Sequence, residues 1–404
     1  MERKEELFNY LMSINSNSLL KEFIYNDSIP EECAMLIFGE GVNELSDVFK
    51  QIDSKFEILT VTDSISFSFI NSKIARTTLV NNGNYFLFYG RCLEFDTQVV
   101  SYLANIILGK KLEKDIFYSM NNFVELFKIP QFDFSCFPYY FENSIKISEI
   151  KDEMLKTLAC FEYFNNEVEK ELKYPISIDN LPKNYIKSAK KFLKNCSKMA
   201  KDEHFKNLYD IYKTIYCLLL KTVIIEFSCH KTLKNKIMLL IHFINHQLGI
   251  FLEREIAVCY GYLKKIHEIH DIFFKKVQTN SNNILHHLKG MAWDLTHIRM
   301  LEYLTAVDYE MTGKLFFHYL VTFDKGLREV MKYYPIDRIL FYKATPYVKF
   351  KYPLNDFINE ININEEWINN KATRHTLFRD VNLNALIKTL EKELTDIQSS
   401  AHVK

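Results

Sequence analysis

The sequence predicts an α/β protein with a mainly parallel sheet core, a large helical insertion and a helical N-terminal segment. Three observations support this fold class. Residues 56–70 alternate polar and apolar side chains, which is the spacing of strands. Two apolar segments predicted as strands are each followed by an aspartate, Asp96 and Asp324. Between Gly109 and Gly249 the chain has no glycine, and its apolar residues recur at helical spacing.

These patterns predict four parts along the chain. The parts are an N-terminal helical segment (1–55), an α/β core (56–150 and 285–350), a helical insertion (151–284) and a C-terminal segment (351–404). The last of these ends in a helix expected over 382–398, where apolar residues follow at steps of four and three.

Composition narrows the class of protein. The chain has 404 residues, of which 48% are hydrophobic and 25% charged, as in globular proteins. Its 51 basic and 51 acidic residues balance, so no overall field indicates nucleic acid. The eight cysteines form no CxxC pair and predict buried thiols in a reducing cytoplasm, without disulfides or a cysteine-based zinc site. No run of 18 apolar residues predicts a membrane span, and the N-terminus lacks a signal-peptide pattern.

Asp96 lies where a predicted strand passes into a helix expected over 97–108. Aspartate is a common N-cap of helices, because its carboxylate accepts hydrogen bonds from free backbone amides. The carboxyl ends of strands are also where open α/β sheets bind ligands. Both uses of Asp96 remain open from the residues alone.

The segment 292–327 contains the second pair of aspartates. Asp294 precedes an apolar run at helical spacing, so it is expected in the first turn of a helix, where a carboxylate suits the helix dipole. The aromatic and β-branched residues 316–321 predict a strand that stops at Thr322, two residues before Asp324.

These segments together resemble the PIN-domain nucleases. LEFDTQVVSYL (93–103) resembles the family's opening, a hydrophobic strand followed by Asp-Thr-x-Val and a helix. AWDLTHIRMLEYL (292–304) and LVTFDKGL (320–327) resemble its ending, an aspartate that starts a helix and then a strand closing in Thr-x-Asp. The family has a glutamate-bearing element between them, and Glu142 lies 46 residues after Asp96.

The resemblance implies an acidic quartet at the active site. Its members would be Asp96, Glu142, Asp294 and Asp324, with the three aspartates as ligands of Mg²⁺ or Mn²⁺. Alternatives for the glutamate are Asp133 and Glu162. Residues expected to support the ligands or contact phosphate are Thr97, His297, Thr322 and Lys325.

The function that follows from the resemblance is metal-dependent hydrolysis of phosphodiester bonds, with RNA favoured over DNA as the substrate and a toxin or a defence effector as options for the biological role. Its expected partner is nucleic acid and not a membrane, with a homo-oligomer or an inhibitory protein partner as further options. A different class of function stays open, namely a non-catalytic helical scaffold or regulatory protein whose nuclease-like core is degenerate. Both readings accommodate aspartates at helix starts.

Overall fold

The structure is a computed structural model that describes residues 2–26, 28–43, 57–59, 66–80, 89–126, 132–167, 175–199, 203–229, 231–354, 377–378 and 380–402. Its strands are β1 (Ala34–Asn43), β2 (Glu57–Leu59), β3 (Ser66–Asn71), β4 (Tyr89–Phe95), β5 (Asp133–Ser135), β6 (Leu315–Thr322), β7 (Ile336–Tyr342) and β8 (Thr345–Phe350).

The helices are given in chain order. They are α1 (Glu2–Ser13), α2 (Ser16–Tyr25), α3 (Ser72–Val80), α4 (Thr97–Ile107), α5 (Lys114–Leu126), α6 (Phe137–Asn143), α7 (Ile147–Glu167), α8 (Lys183–Met199), α9 (Glu203–Ser228), α10 (Leu233–Phe243), α11 (Glu253–Lys264), α12 (Ile284–Thr312), α13 (Lys325–Tyr333) and α14 (Leu383–His402). Short 3₁₀ turns cover Ser144–Lys146 and Ile178–Asn180, and π-helical turns cover Ile244–Leu248 and Glu268–Phe273.

The chain forms two compact units. The first comprises residues 1–198, 299–324 and 335–351, and the second comprises 199–298, 325–334 and 352–404. All the strands lie in the first unit, whereas the second is helical in the residues described. Helix α12 contributes its residues before 299 to the second unit and the rest to the first.

The first unit contains two open four-stranded sheets. One has the order β3-β1-β7-β8 and is antiparallel throughout. The other has the order β2-β6-β4-β5, in which β4 runs parallel to both β5 and β6, while β2 is antiparallel to β6. The mixed α/β class is therefore confirmed, but the expected single, mainly parallel sheet is not, because β7 pairs with β1 and β8 pairs with β7 instead of extending the parallel strands.

Aromatic side chains form much of the core of this unit. Phe317 of β6 stacks on Phe67 of the antiparallel sheet at 5.0 Å between ring centroids. On β4, Phe95 contacts the rings of Phe123, Phe161 and Phe164 from α5 and α7, at 5.2, 5.6 and 6.0 Å. These contacts pack one face of β4 against α5 and α7. The other face of β4 carries the polar residues described below.

Two expected segments differ from the structure, and a third is confirmed. The N-terminal segment was expected to be helical, but Ala34–Asn43 is the central strand β1, because its apolar run pairs with both β3 and β7. The insertion 151–284 is helical where described, but α7 and nearly all of α8 belong to the first unit. The expected terminal helix is confirmed as α14.

None of the helices in the described residues is long and apolar enough to cross a bilayer. The cysteines whose side chains are described are unpaired thiols, and all but Cys229 are buried. Residues 81–84 (NNGN), whose asparagines and glycine predict a turn, lie outside the described residues.

Candidate functional site

The parallel pair β4 and β6 brings two carboxyl ends together. Glu94 lies beside Leu320 and Phe95 beside Val321 in the register of this pair. The backbone amide of Asp96 then donates a hydrogen bond to the carbonyl of Val321, at 3.1 Å. Asp96 is thereby held at the sheet edge next to the end of β6, as the parallel-strand interpretation required.

Asp96 is a buried carboxyl that also caps helix α4. One of its oxygens, Oδ1, accepts a hydrogen bond from the amide of Val99 at 2.7 Å, so the capping interpretation is confirmed. Burial raises the pKa of Asp96 from 3.8 to about 7, against hydrogen bonds from Thr322 and Val99 that lower it. The negative charges of Glu142 and Asp324 raise the pKa further, which places all three acids in one neighbourhood.

Glu142 reaches this neighbourhood from the last turn of α6. The hydroxyl of Thr97, the first residue of α4, donates a hydrogen bond to Glu142 Oε2. Burial raises the pKa of Glu142, while the bond from Thr97 and the charge of Lys146 lower it. This hydrogen bond connects Thr97, which follows Asp96 in the chain, directly to Glu142.

Asp324 follows β6 by two residues and is tied back to it. Its backbone amide donates to Thr322 Oγ1 at 3.0 Å, and the same Thr322 side chain hydrogen-bonds the Asp96 carboxyl. Thr322 thus links the two aspartates at the carboxyl ends of neighbouring parallel strands. We call Asp96, Glu142 and Asp324 the acidic cluster.

Glu142 is better placed than the two alternatives to act with Asp96. Asp133 begins β5 beside Cys92, at the opposite end of the paired segment from Asp96, and its side chain is exposed. Glu162 lies within α7, and its charge is not among the main influences on the pKa of Asp96.

The remaining expected site residues lie in the second unit. Asp294 was expected to start a helix, but this is wrong: it lies well inside α12, which begins at Ile284 and continues through Gly290. His297 is on the same helix, and Lys325 is the exposed first residue of α13. The acidic cluster and these three residues therefore belong to different compact units.

His297 has an environment that sequence reasoning did not anticipate. Its side chain is buried, and neither ring nitrogen has a hydrogen-bond partner among the described residues. Burial lowers the pKa of His297 from 6.5 to about 4, so the ring is neutral at neutral pH. The role that the resemblance implies for His297, supporting the ligands or contacting phosphate, stays a prediction.

A second polar group, missed from the sequence, occupies the same face of β4 as Asp96. Cys92 and His318 are register partners on β4 and β6, and Glu94 is two residues after Cys92. His318 Nδ1 lies 2.9 Å from Glu94 Oε1, and His318 Nε2 lies 3.0 Å from Asp308 Oδ2. The Cys92 thiol donates to Glu94 Oε1 at 3.5 Å. We call Cys92, Glu94 and His318 the buried triad.

The electrostatics of the buried triad reflect its paired charges. Burial alone would lower the pKa of His318, but hydrogen bonds to Asp308 and Glu94 outweigh it and raise the pKa to about 9. Burial, followed by the charge of Glu94, raises the pKa of the Cys92 thiol. The signal that could have revealed this group is the alternation of Cys92, Glu94 and Asp96 in an otherwise apolar strand, since residues two apart share a face.

Comparison of the chain with protein-family models, with curated proteins and with solved structures found no match in any of the three.

Proposed function

We propose that the protein is a divalent-metal-dependent nuclease that hydrolyses phosphodiester bonds, with RNA favoured over DNA as the substrate. The observation that carries the proposal is the buried Asp96 carboxyl, whose pKa is raised in part by Glu142 and Asp324 at the edge of parallel strands. Carboxyls that repel one another in a buried place are stabilised by a hard divalent cation. The preference for RNA rests on the resemblance of the strand-end segments to PIN-domain nucleases.

The donor set of the acidic cluster fits Mg²⁺ or Mn²⁺, since both take oxygen ligands. Among the described residues, these three acids are not a group whose ligand atoms all lie within 4.8 Å of one another. Mg²⁺ commonly keeps several waters and uses only one or two carboxylates, so the wider spacing is compatible with it. When bound, such a cation would supply a binding point for phosphate and lower the pKa of a water.

The side chains of the cluster have distinct roles in this proposal. Asp96 and Asp324 would hold the cation, and Thr322 fixes both by its hydrogen bonds. Glu142, which Thr97 orients, would either hold the cation or accept a proton from a water. Asp294, His297 and Lys325 belong to the second unit, so the proposal does not depend on them.

The test is cleavage of end-labelled single-stranded RNA and DNA of one sequence by the purified protein, with Mn²⁺, Mg²⁺ or a chelator. We expect cleavage that requires metal and that falls roughly 1000-fold in Asp96→Asn and Asp324→Asn, since metal-bound transition states gain several kcal/mol. Asp152→Asn is the matched control, because Asp152 is exposed on α7 in the same unit. Metal-independent cleavage, or full activity of both cluster variants, would refute the proposal.

A second candidate is a non-catalytic scaffold, and the capping bond from Val99 to Asp96 favours it. That bond gives Asp96 a structural use that needs no metal. In this case the wild-type protein cleaves neither nucleic acid under any metal condition, and Asp96→Asn, which still caps the helix, folds and shows no change in its response to metal.

A further inference from the structure

We propose that the buried triad is a site for a borderline-soft divalent metal such as Zn²⁺, held by the Cys92 thiolate, the Glu94 carboxylate and the His318 imidazole. The site is separate from the acidic cluster, and it is independent of the nuclease proposal. Thiolate and imidazole are donors that select Zn²⁺ over Mg²⁺.

The three donors lie close enough together to bind one ion. Their ligand atoms all lie within 4.8 Å of one another, a property that no other group of His, Cys, Asp and Glu has in the part of the chain described. Zn²⁺ binds sulfur at about 2.3 Å and nitrogen or oxygen at about 2.0–2.2 Å, so tetrahedral neighbours lie about 3.3–3.6 Å apart. The observed distance from Cys92 Sγ to Glu94 Oε1, 3.5 Å, lies in this range, whereas His318 Nδ1 and the same oxygen are 2.9 Å apart, the length of a hydrogen bond. A metal that replaces this hydrogen bond would require the two atoms to separate by about 0.4 Å.

Asp308 gives His318 the orientation that a metal ligand needs. Its Oδ2 lies 3.0 Å from His318 Nε2, which leaves Nδ1 directed toward Glu94. Histidines that bind metals usually donate their other ring N–H to a carboxylate, which fixes the tautomer and makes the ligand more basic. The Asp308–His318 pair has this arrangement, with Nδ1 as the nitrogen available to the metal.

The Glu94 carboxylate provides an independent indication of a metal, because one of its oxygens has no hydrogen-bond donor among the described side chains. Glu94 is only 2% exposed, and its Oε2 accepts no hydrogen bond from the described residues. Burying a carboxylate oxygen without a hydrogen-bond donor lowers the stability of the fold. The ion pair with His318 uses only Oε1, so it does not supply a donor for Oε2. A metal bound by both oxygens of Glu94 would satisfy Oε2 and complete four donors without another residue.

Such a metal would cross-link β4 and β6. Cys92 and His318 are opposite each other in the parallel register, and both are buried. The metal would therefore stabilise the strand pair that carries the acidic cluster at its carboxyl edge. Because only the folded chain brings the donors together, binding should raise the melting temperature.

The experiment is titration of the chelator-treated full-length protein with Co²⁺, followed by displacement with Zn²⁺. We expect a thiolate-to-cobalt charge-transfer band that saturates at one Co²⁺ per chain, together with the visible bands of a tetrahedral site. Carboxylates alone cannot produce the charge-transfer band, so binding at the acidic cluster is distinguished from binding at the triad. Zn²⁺ should abolish the spectrum and raise the melting temperature.

Variants of the protein identify which side chains bind the metal. Cys92→Ser should remove the charge-transfer band, and Cys160→Ala should keep it, because Cys160 is an equally buried thiol outside the triad. Asp308→Asn leaves all three donors in place and should weaken binding by about 10–100-fold. Absence of the band in the wild type, or its persistence in Cys92→Ser, would overturn the proposal. If a variant does not fold, the wild-type spectrum alone still tests whether the protein has a thiolate-bound metal site.

Discussion

Replacing Asp96 by asparagine should stabilise the metal-free protein at neutral and alkaline pH. The pKa of Asp96 rises from 3.8 to about 7 on folding, chiefly because the carboxyl is buried. Each pKa unit corresponds to about 1.4 kcal/mol, so ionised Asp96 lowers the free energy of unfolding by about 4 kcal/mol above pH 7. Asparagine is neutral at every pH and can still accept the capping bond from Val99.

The sign of the pH dependence follows from the raised pKa. Between pH 3.8 and 7 the unfolded chain has released this proton while the folded protein keeps it, so the contribution of Asp96 to stability falls as pH rises. The advantage of Asp96→Asn should therefore be about 4 kcal/mol at pH 8 and about 1.5 kcal/mol at pH 5. Below pH 3.8 it should approach zero.

Urea denaturation in the presence of a chelator measures this difference directly. The comparison of wild type with Asp96→Asn at each pH cancels the titration of all other groups, and Asp152→Asn should show no such pH-dependent gain. Saturating Mn²⁺ should then reverse the order, because it stabilises only the protein that retains its ligand. Equal stability of the two proteins at pH 8 and pH 5, or a less stable asparagine variant at pH 8, would refute the reasoning about burial and repulsion.

Two further changes test other parts of the structure. His297→Leu should remove a loss of stability that occurs in acid. The pKa of His297 falls from 6.5 to about 4 on folding, so protonation favours the unfolded chain. The free energy of unfolding therefore decreases as pH falls through this window, by about 3 kcal/mol in total. Melting temperatures between pH 7 and pH 4 measure it, and an unchanged acid slope in the variant would contradict the buried, neutral ring. Gly90→Ala should destabilise the protein by about 1–3 kcal/mol, because a Cβ at Gly90 would lie 2.3 Å from the ring of Phe316. Chemical denaturation of Gly90→Ala, Phe316→Leu and the double variant checks this, and a double variant no more stable than Gly90→Ala would show that the clash is not the cause.

Local patterns in the sequence were sufficient for the elements around the acidic cluster. The strand before Asp96, the helix after it and the strand that ends at Thr322 were all predicted, and they correspond to β4, α4 and β6. These elements carry signals that act over a few residues, namely a capping aspartate and an apolar run rich in β-branched and aromatic side chains. The convergence of Asp96 with Asp324 followed from parallel pairing, which was an expectation about topology and not about local structure.

Helix boundaries and strand identity were less accessible. Asp294 was predicted at a helix start because it precedes an apolar run, but α12 continues across Gly290 and buries residues on both sides of Asp294. The segment of β1 was predicted as helical, since a short apolar run has no decisive period. These residues form a strand because they pair with β3 and β7, and both partners lie outside the local segment.

The sequence by itself determined the α/β class, most elements of the first unit and the acids that could act together at a strand edge. Only the tertiary structure decided that β7 and β8 join a separate antiparallel sheet, that Asp294 belongs to a different unit, and that Cys92, Glu94 and His318 meet in the interior. The physical reason is that propensity, capping and periodicity are properties of neighbouring residues, whereas strand register joins residues more than 200 positions apart. Cys92 and His318 become partners only because β4 and β6 pair in parallel at one register, and a shift by a single residue would place His318 beside the opposite face.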